Sequence, residues 1–219
     1  MTLTVAVIGA SGATGRELVS SALRRGWHVR ALVRDAARLP SDLAARCSVV
    51  IGDVMIPGST QRAVQGADAV IVALGTMPDA RSDTARRQPT IPVCSTGTRL
   101  IAETMRECAV RRLIVISATS VGESRQTGSF GVGWVVRRVL RDVMNDKEPQ
   151  DAIIRASDTD WTIVRPVRLT NGAATGTVRA AVGLPWHWWS RISRADVAEF
   201  ALDGVTSADS IGRAITVSG

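Results

Sequence analysis

Gly9-Ala10-Ser11-Gly12-Ala13-Thr14-Gly15 is the first stretch of this 219-residue chain with an evident chemical use. Its spacing is GxxGxxG, directly after the apolar run Leu3–Ile8 and at the opening of an amphipathic stretch. Glycine at the turn lets the chain reverse, and glycine at the centre lets a pyrophosphate approach the backbone. The third glycine lets the helix pack on the strand. Free N–H groups at the helix N-terminus then attract the anion. Gly9, Ser11, Gly12, Ala13, Thr14 and Gly15 are thus the expected phosphate cradle, a structural turn without ligand being the bland alternative.

Further candidates close the later apolar runs. Val33-Arg34-Asp35 ends the second, and Arg38 follows one turn on. A carboxylate at this place bonds the ribose 2′-OH of NAD, whereas a guanidinium suits the 2′-phosphate of NADP. Arg34 and Arg38 point to NADP(H). Asp35 would serve NAD instead, and Arg38 is otherwise a surface cation. Asp53 and Val54 end the third run: Asp53 either accepts from an adenine amino group, with Val54 against the ring, or closes a turn. Leu74, Gly75 and Thr76 end the fourth, where they would pass beneath the nicotinamide-side ribose.

These residues need a frame. Strand-like runs fall at Leu3–Ile8, Val29–Val33, Ser48–Ile51, Ala69–Leu74, Leu113–Ser117, Trp161–Arg165 and Ala214–Val217. Several are β-branched at nearly every position, the pattern of strands covered on both faces. Helical stretches alternate with them at Gly12–Arg25, Thr60–Val64, Thr96–Cys108, Val132–Ala156 and Arg194–Leu202. Repeated strand and helix predict an α/β, Rossmann-type doubly wound parallel sheet, one domain over 1–219. Met77–Pro92 reads as a long loop. Residues 170–193, with a strand-like Thr177–Val182 and three tryptophans, read as a small C-terminal substrate lobe inserted before the last helix and strand. Trp186, Trp188 and Trp189 would wall a pocket for a flat substrate, fill the lobe's core, or make a dimer contact.

Composition narrows the function. The net charge is +7, from 26 Arg and one Lys against 20 acidic residues. The arginines are spread along the chain rather than gathered with aromatics, so no nucleic-acid partner is expected. No apolar run approaches the roughly 18–20 residues that span a bilayer, so no membrane partner is expected either. Three scattered cysteines and two histidines offer no metal site. They fit a reduced, cytoplasmic compartment.

The glycine cradle, Leu32-Val33-Arg34-Asp35, Gly52-Asp53-Val54, Ala73-Leu74-Gly75-Thr76, Ile116-Ser117-Ala118-Thr119, Trp161-Thr162-Ile163-Val164-Arg165-Pro166 and Ser193-Arg194-Ala195-Asp196-Val197-Ala198 together resemble one group. It is the atypical short-chain dehydrogenase/reductase group with NAD(P)H-binding, NmrA-like domains, and within it the biliverdin reductase B and flavin reductase-like proteins. Most short-chain dehydrogenases use a Tyr-x-x-x-Lys pair, but this chain has no Tyr, and Val143 stands four residues before Lys147. Isoflavone-reductase-like relatives keep a Lys without the Tyr. The resemblance therefore puts Lys147 at the cofactor, holding ribose hydroxyls or serving as acid/base, although Asn145, Asp146 and Glu148 beside it fit an exposed segment. It also implies substrate-facing hydroxyls at Ser117, Thr119 or Ser120, and Pro166 and Val167 against the nicotinamide. Arg168 stands where flavin-reductase relatives carry a histidine, and Ala118 where they carry a serine.

The expected function is an NADPH-dependent oxidoreductase passing hydride to a flat, conjugated acceptor: a flavin, a quinone or an aromatic, polyketide-like molecule. Ser117, Lys147 and Arg168 are its candidate catalytic residues. The rivals are a cofactor-binding epimerase, dehydratase or rearrangement enzyme, and a non-catalytic NADP(H)-sensing regulator. The expected partner is a small-molecule substrate, bound by a monomer or homodimer.

Overall fold

The computed structural model describes residues 2–75, 92–119, 121–125, 127 and 141–219. The strands are β1 (Thr4–Ile8), β2 (His28–Val33), β3 (Ser48–Ile51), β4 (Ala69–Val72), β5 (Arg112–Ile116), β6 (Asp160–Pro166), β7 (Arg168–Thr170), β8 (Arg179–Ala181), β9 (Arg191–Ser193) and β10 (Arg213–Ser218). The helices are α1 (Ala13–Arg24), α2 (Ser41–Ala44), α3 (Gln61–Val64), α4 (Val93–Glu107), α5 (Arg141–Arg155) and α6 (Arg194–Thr206). Eight strands form one sheet in the order β3-β2-β1-β4-β5-β6-β10-β8. All pairs in it are parallel except β10 with β8. The order reverses between β1 and β4, which opens a crevice at their carboxyl ends.

The inner strands of the sheet are buried on both faces, and β1 shows how. Val5 and Val7 join Leu18 and Val19 of α1 and Val197 and Ala201 of α6 in one core. Ala6 and Ile8 join Ile101 and Met105 of α4, Ile154 of α5 and Val64 of α3 in the other. Alternate side chains of a strand point to opposite faces, so a strand between two helical layers must be apolar throughout.

The expected strands and helices are found with shifted ends. α4 begins at Val93, three residues before its expected start. The strand-like Thr177–Val182 narrows to β8, which extends the main sheet at its far edge, antiparallel to β10. Two three-residue strands, β7 and β9, pair parallel beside it. The loop expected from Met77 to Pro92 is described only at Pro92, and residues 132–140 of the helix expected over Val132–Ala156 lie outside the described residues. No helix among the described residues is long and apolar enough to cross a membrane.

Asp196 ties Thr175 and Gly176 to α6, and Arg194 of the same helix donates to Asn171 Oδ1. Ser193 caps α6, accepting from the Asp196 N–H at 2.9 Å and donating to Asp196 Oδ2 at 2.7 Å. Asp196 Oδ1 accepts from the Thr175 and Gly176 N–H groups at 2.8 and 3.1 Å. Burial pushes this carboxyl up, but the donors Ser193, Gly176 and Thr175 hold it below the usual range. Asp196→Ala takes the acceptor from one buried donor, the Ser193 hydroxyl, and from the exposed Thr175 and Gly176 amides. It is expected to cost about 1–3 kcal/mol in chemical denaturation, more than a surface Asp→Ala change.

Candidate functional site

The cradle sits at the switch point. Gly9 has φ +84°, and a Cβ there would fall 2.7 Å from the Ala73 carbonyl oxygen at the end of β4. A Cβ on Gly15 would fall 2.2 Å from the Gly9 carbonyl oxygen and 2.8 Å from Ala10 Cα. Both contacts are with backbone, which cannot swing aside. Gly12 is the N-cap of α1, extended at φ −71° and ψ 162°, with no side chain closing the helix end. Gly12 and Ala13 are exposed, and Ser11 and Thr14 are half-buried.

The N-termini of α4 and α6 differ. Asp146 of α5 plugs the N-terminus of α4, accepting from the Cys94 and Ser95 N–H groups at 2.7 and 2.9 Å and from Ser95 Oγ at 2.7 Å. Ser193 closes α6. The positive end of α1 thus lacks the side-chain anchor that α4 and α6 have, which leaves its amides for an external anion.

Beyond β2, Arg34, Asp35 and Arg38 are all exposed. Asp35 Oδ1 accepts from the Ala37 N–H at 2.9 Å, so this carboxylate caps the short turn carrying Arg38. Neither Arg34 nor Arg38 makes an ion pair among the described residues. Sequence reasoning missed Arg16, whose Nε donates to the Ser11 carbonyl and whose Nη2 donates to the Arg38 carbonyl, both at 3.0 Å. It laces the cradle to the turn beyond β2. Its signal was faint: one more Arg immediately after the third glycine.

Asp53 Oδ1 accepts from the Met55 N–H at 2.9 Å, the turn role weighed for it. Val54 is 5% exposed and packs toward α4, where a Cβ on Gly97 would fall 2.9 Å from Val54 Cγ2. Leu74 bridges this region to the cradle: its Cδ2 would lie 3.6 Å from a Cβ on Gly9. Gly75 is exposed, while Thr76 and Ser120 lie outside the described residues.

Lys147 is 4% exposed, not on a solvated face. Its Nζ donates to the Leu74 carbonyl at 3.0 Å and to the Ile116 carbonyl at 3.1 Å, clamping the carboxyl ends of β4 and β5 together. An ammonium carries three N–H donors, and these carbonyls take two of them. Cys94 donates weakly to the same Leu74 carbonyl at 3.6 Å. Burial pushes its thiol up, against the pull of the Lys147 ammonium, so it is no ready nucleophile.

Ser117 and Thr119 are buried just beyond β5, and their N–H groups donate to the Val164 and Pro166 carbonyls of β6 at 2.8 and 3.3 Å. Pro166 and Val167 are buried, and Arg168 is exposed. Behind them lies a network that sequence reasoning did not find. Arg165, 1% exposed, donates to Asp151 Oδ1 at 2.7 Å and pairs with Glu123 Oε2 at 3.1 Å. Arg155 completes it, at 2.8 Å from both carboxylates. Gly122, at φ +54°, is where a Cβ would strike Arg165 Nη2 at 2.7 Å. The network pins the segment after Ser117 to β6 and α5. Burial pushes the Glu123 carboxyl up, but its backbone hydrogen bond, Arg165 and Arg155 bring it below the usual range. A depressed carboxyl stabilises the fold above its unfolded value of about 4.3 and loses that contribution as pH falls through the folded value. Glu123→Gln is accordingly expected to lower the melting temperature near pH 7 and to converge with the parent below about pH 4, flattening the acid limb of the profile.

A model of the NAD(P)H-binding family matches residues 9–208. The chain belongs to that family. The match starts at the first glycine of the cradle and runs through α6. The chain is 29% identical over 216 residues to the uncharacterized sugar epimerase YhfK of Bacillus subtilis, covering 98% of this chain and 93% of the relative. Two solved structures share the fold at low identity. The anaerobilin reductase ChuY of Escherichia coli O157:H7 superposes with a TM-score of 0.80 at 20% identity, covering 98% of this chain and 96% of that one. A short-chain dehydrogenase/reductase from Veillonella parvula, in complex with NADP, superposes with a TM-score of 0.80 at 19% identity, covering 100% and 95%.

The cradle fits the nicotinamide dinucleotide that this family binds. Its glycines leave open what any side chain would fill, and its helix end has no capping side chain of its own. The structure brings Gly9, Gly15, Leu74, Lys147 and Ser117 to one sheet edge. It turns Val54 into the core and leaves Arg34, Arg38 and Arg168 on the surface.

Proposed function

We propose that this NAD(P)H-binding protein is an NADPH-dependent reductase acting on a flat, conjugated acceptor such as a flavin, a quinone or an aromatic, polyketide-like molecule. The observation that carries the choice of NADPH is the pair of exposed guanidiniums of Arg34 and Arg38, which make no ion pair among the described residues and flank Asp35, whose Oδ1 accepts from the Ala37 N–H. A 2′-phosphate would meet two cations there, whereas a 2′-hydroxyl would have the one carboxylate, Asp35, with Arg34 and Arg38 around it. NADPH, when bound, supplies the hydride at nicotinamide C4.

The chain's own residues bind and orient. The α1 amides hold the pyrophosphate, and Pro166 and Val167 back the nicotinamide. Lys147 turns its remaining N–H to the ribose hydroxyls. With no Tyr and with Lys147 fastened to two carbonyls, the proton for the reduced acceptor comes from water, relayed by the Ser117 hydroxyl. Arg168 attracts an acceptor that carries or develops negative charge. An acceptor needing little acid catalysis suits this inventory. In this reading the protein works on a small-molecule substrate, as a monomer or homodimer, in a reduced cytoplasm that suits the free cysteines Cys47, Cys94 and Cys108.

Likeness to a relative described as a sugar epimerase favours a second reading, isomerisation without net oxidation. Steady-state assays with flavins and quinones separate the two. Stoichiometric loss of NADPH with acceptor reduction supports the reductase. Turnover of a sugar derivative with NADPH unchanged would overturn it.

A further inference from the structure

From Trp161 to Ala195 the chain has no Asp or Glu, yet it carries Arg165, Arg168, Arg179, Arg191 and Arg194. Arg165 is spent in its buried network. Arg168, Arg179 and Arg191 are exposed, and the β7–β9 register sets Arg168 opposite Arg191, so these two share a face. Among the described residues none of these three makes an ion pair. Glu123 is held by Arg155 and Arg165, and Asp196 by Ser193, Thr175 and Gly176.

The same stretch exposes two large aromatics. Trp188 is 70% and Trp189 57% exposed. Trp189 stacks on His187 at 4.5 Å, and Trp188 meets Trp189 edge-on at 5.5 Å, making one cluster two residues from Arg191. Packing does not require it. Trp186 is the ring that anchors this segment, 4% exposed and donating from Nε1 to the Ser124 carbonyl at 3.2 Å.

We propose that this rim is a docking surface for an anionic lipid bilayer, with Trp188 and Trp189 seated among the headgroups and Arg168, Arg179 and Arg191 on their phosphates. Indole rings favour the headgroup level, and each arginine near such a surface strengthens binding about fivefold. A second copy of the chain would present the same uncompensated charge, so self-association here is disfavoured. A single-stranded nucleic acid needs successive free ring faces. Here His187 covers one face of Trp189, and Trp188 stands at 84° to Trp189. The expectation of no membrane partner rested on the lack of a spanning run, and peripheral seating needs none. Arg168 lies two residues past Pro166, so the surface adjoins the sheet edge that carries the cradle. Docking stands independently of the hydride-transfer reading.

The test is co-sedimentation of the whole protein with vesicles of mixed phosphatidylglycerol and phosphatidylcholine, and of phosphatidylcholine alone, at about 0.1 M salt. Binding to the anionic vesicles only is expected. It should weaken about tenfold or more in Trp188→Ala/Trp189→Ala, and similarly in Arg179→Glu/Arg191→Glu. Unchanged NADPH binding by both variants reports that they fold. Failure of the whole protein to sediment with anionic vesicles would overturn the proposal. So would vesicle binding that the tryptophan variant leaves intact, or a dimer or oligonucleotide complex lost in that variant without any vesicle binding.

Discussion

Replacing Gly15 by valine is expected to leave no measurable NADPH binding and to lower the unfolding free energy by about 1–3 kcal/mol. Even the Cβ of alanine would lie 2.2 Å from the Gly9 carbonyl oxygen, far inside contact distance, and 2.8 Å from Ala10 Cα. The obstacle is backbone, so relief must come from moving α1 away from β1. That movement carries off the amides of Ala13 and Thr14 and loosens the core beneath them, where Leu18 and Val19 meet Val5 and Val7. Gly172→Ala is the matched control, because no atom lies within 4 Å of its Cβ and its φ is not positive. Its stability should stay within about 0.5 kcal/mol of the parent. Thermal melts and fluorescence titration read both effects. A Gly15→Val protein that bound NADPH normally would remove the cradle from the site.

Lys147→Met is the second large effect. Methionine keeps the length and apolar stem of the side chain but strips the Leu74 and Ile116 carbonyls of their charged donor. Each abandoned carbonyl costs about 1–3 kcal/mol, so a loss near the upper end of that range is expected in chemical denaturation. A purely structural clamp and a clamp that also reaches the nicotinamide ribose are separable by ligand. NADPH affinity should fall about tenfold or more. Affinity for adenosine 2′,5′-bisphosphate, which lacks that ribose, should hold. Equal losses for both ligands would confine Lys147 to fastening β4 to β5.

The glycine cradle was legible because its function is local: a strand, a turn needing Gly9 at positive φ, and a helix all lie within 24 residues. The inner strands were legible for a similar reason, since burial on both faces leaves one sequence pattern. What escaped the reading was tertiary. α4 starts early at Val93 because its cap, Asp146, comes from a helix more than fifty residues away. Asp146, Lys147, Gln150 and Asp151 look like a solvated helix face, yet all four are buried. Their partners are the α4 N-terminus, the β4 and β5 carbonyls, Thr98 and Arg165. Short strands such as β7 and β9 have three residues each, too few for a periodicity to register. Asp35 and Asp53 each had two readings from type and position. Their carboxylate oxygens sit on nearby backbone N–H groups, which only geometry reveals.

Isothermal titration of the whole protein with NADPH and NADH in parallel tests the cofactor claim most directly, with Arg34→Ala/Arg38→Ala as the companion. Saturable, one-to-one heat is expected with NADPH, tighter than with NADH by about tenfold or more, and the preference should vanish in the double variant. Silence from both nucleotides would contradict the cradle, and a preference for NADH would contradict the role given to Arg34 and Arg38.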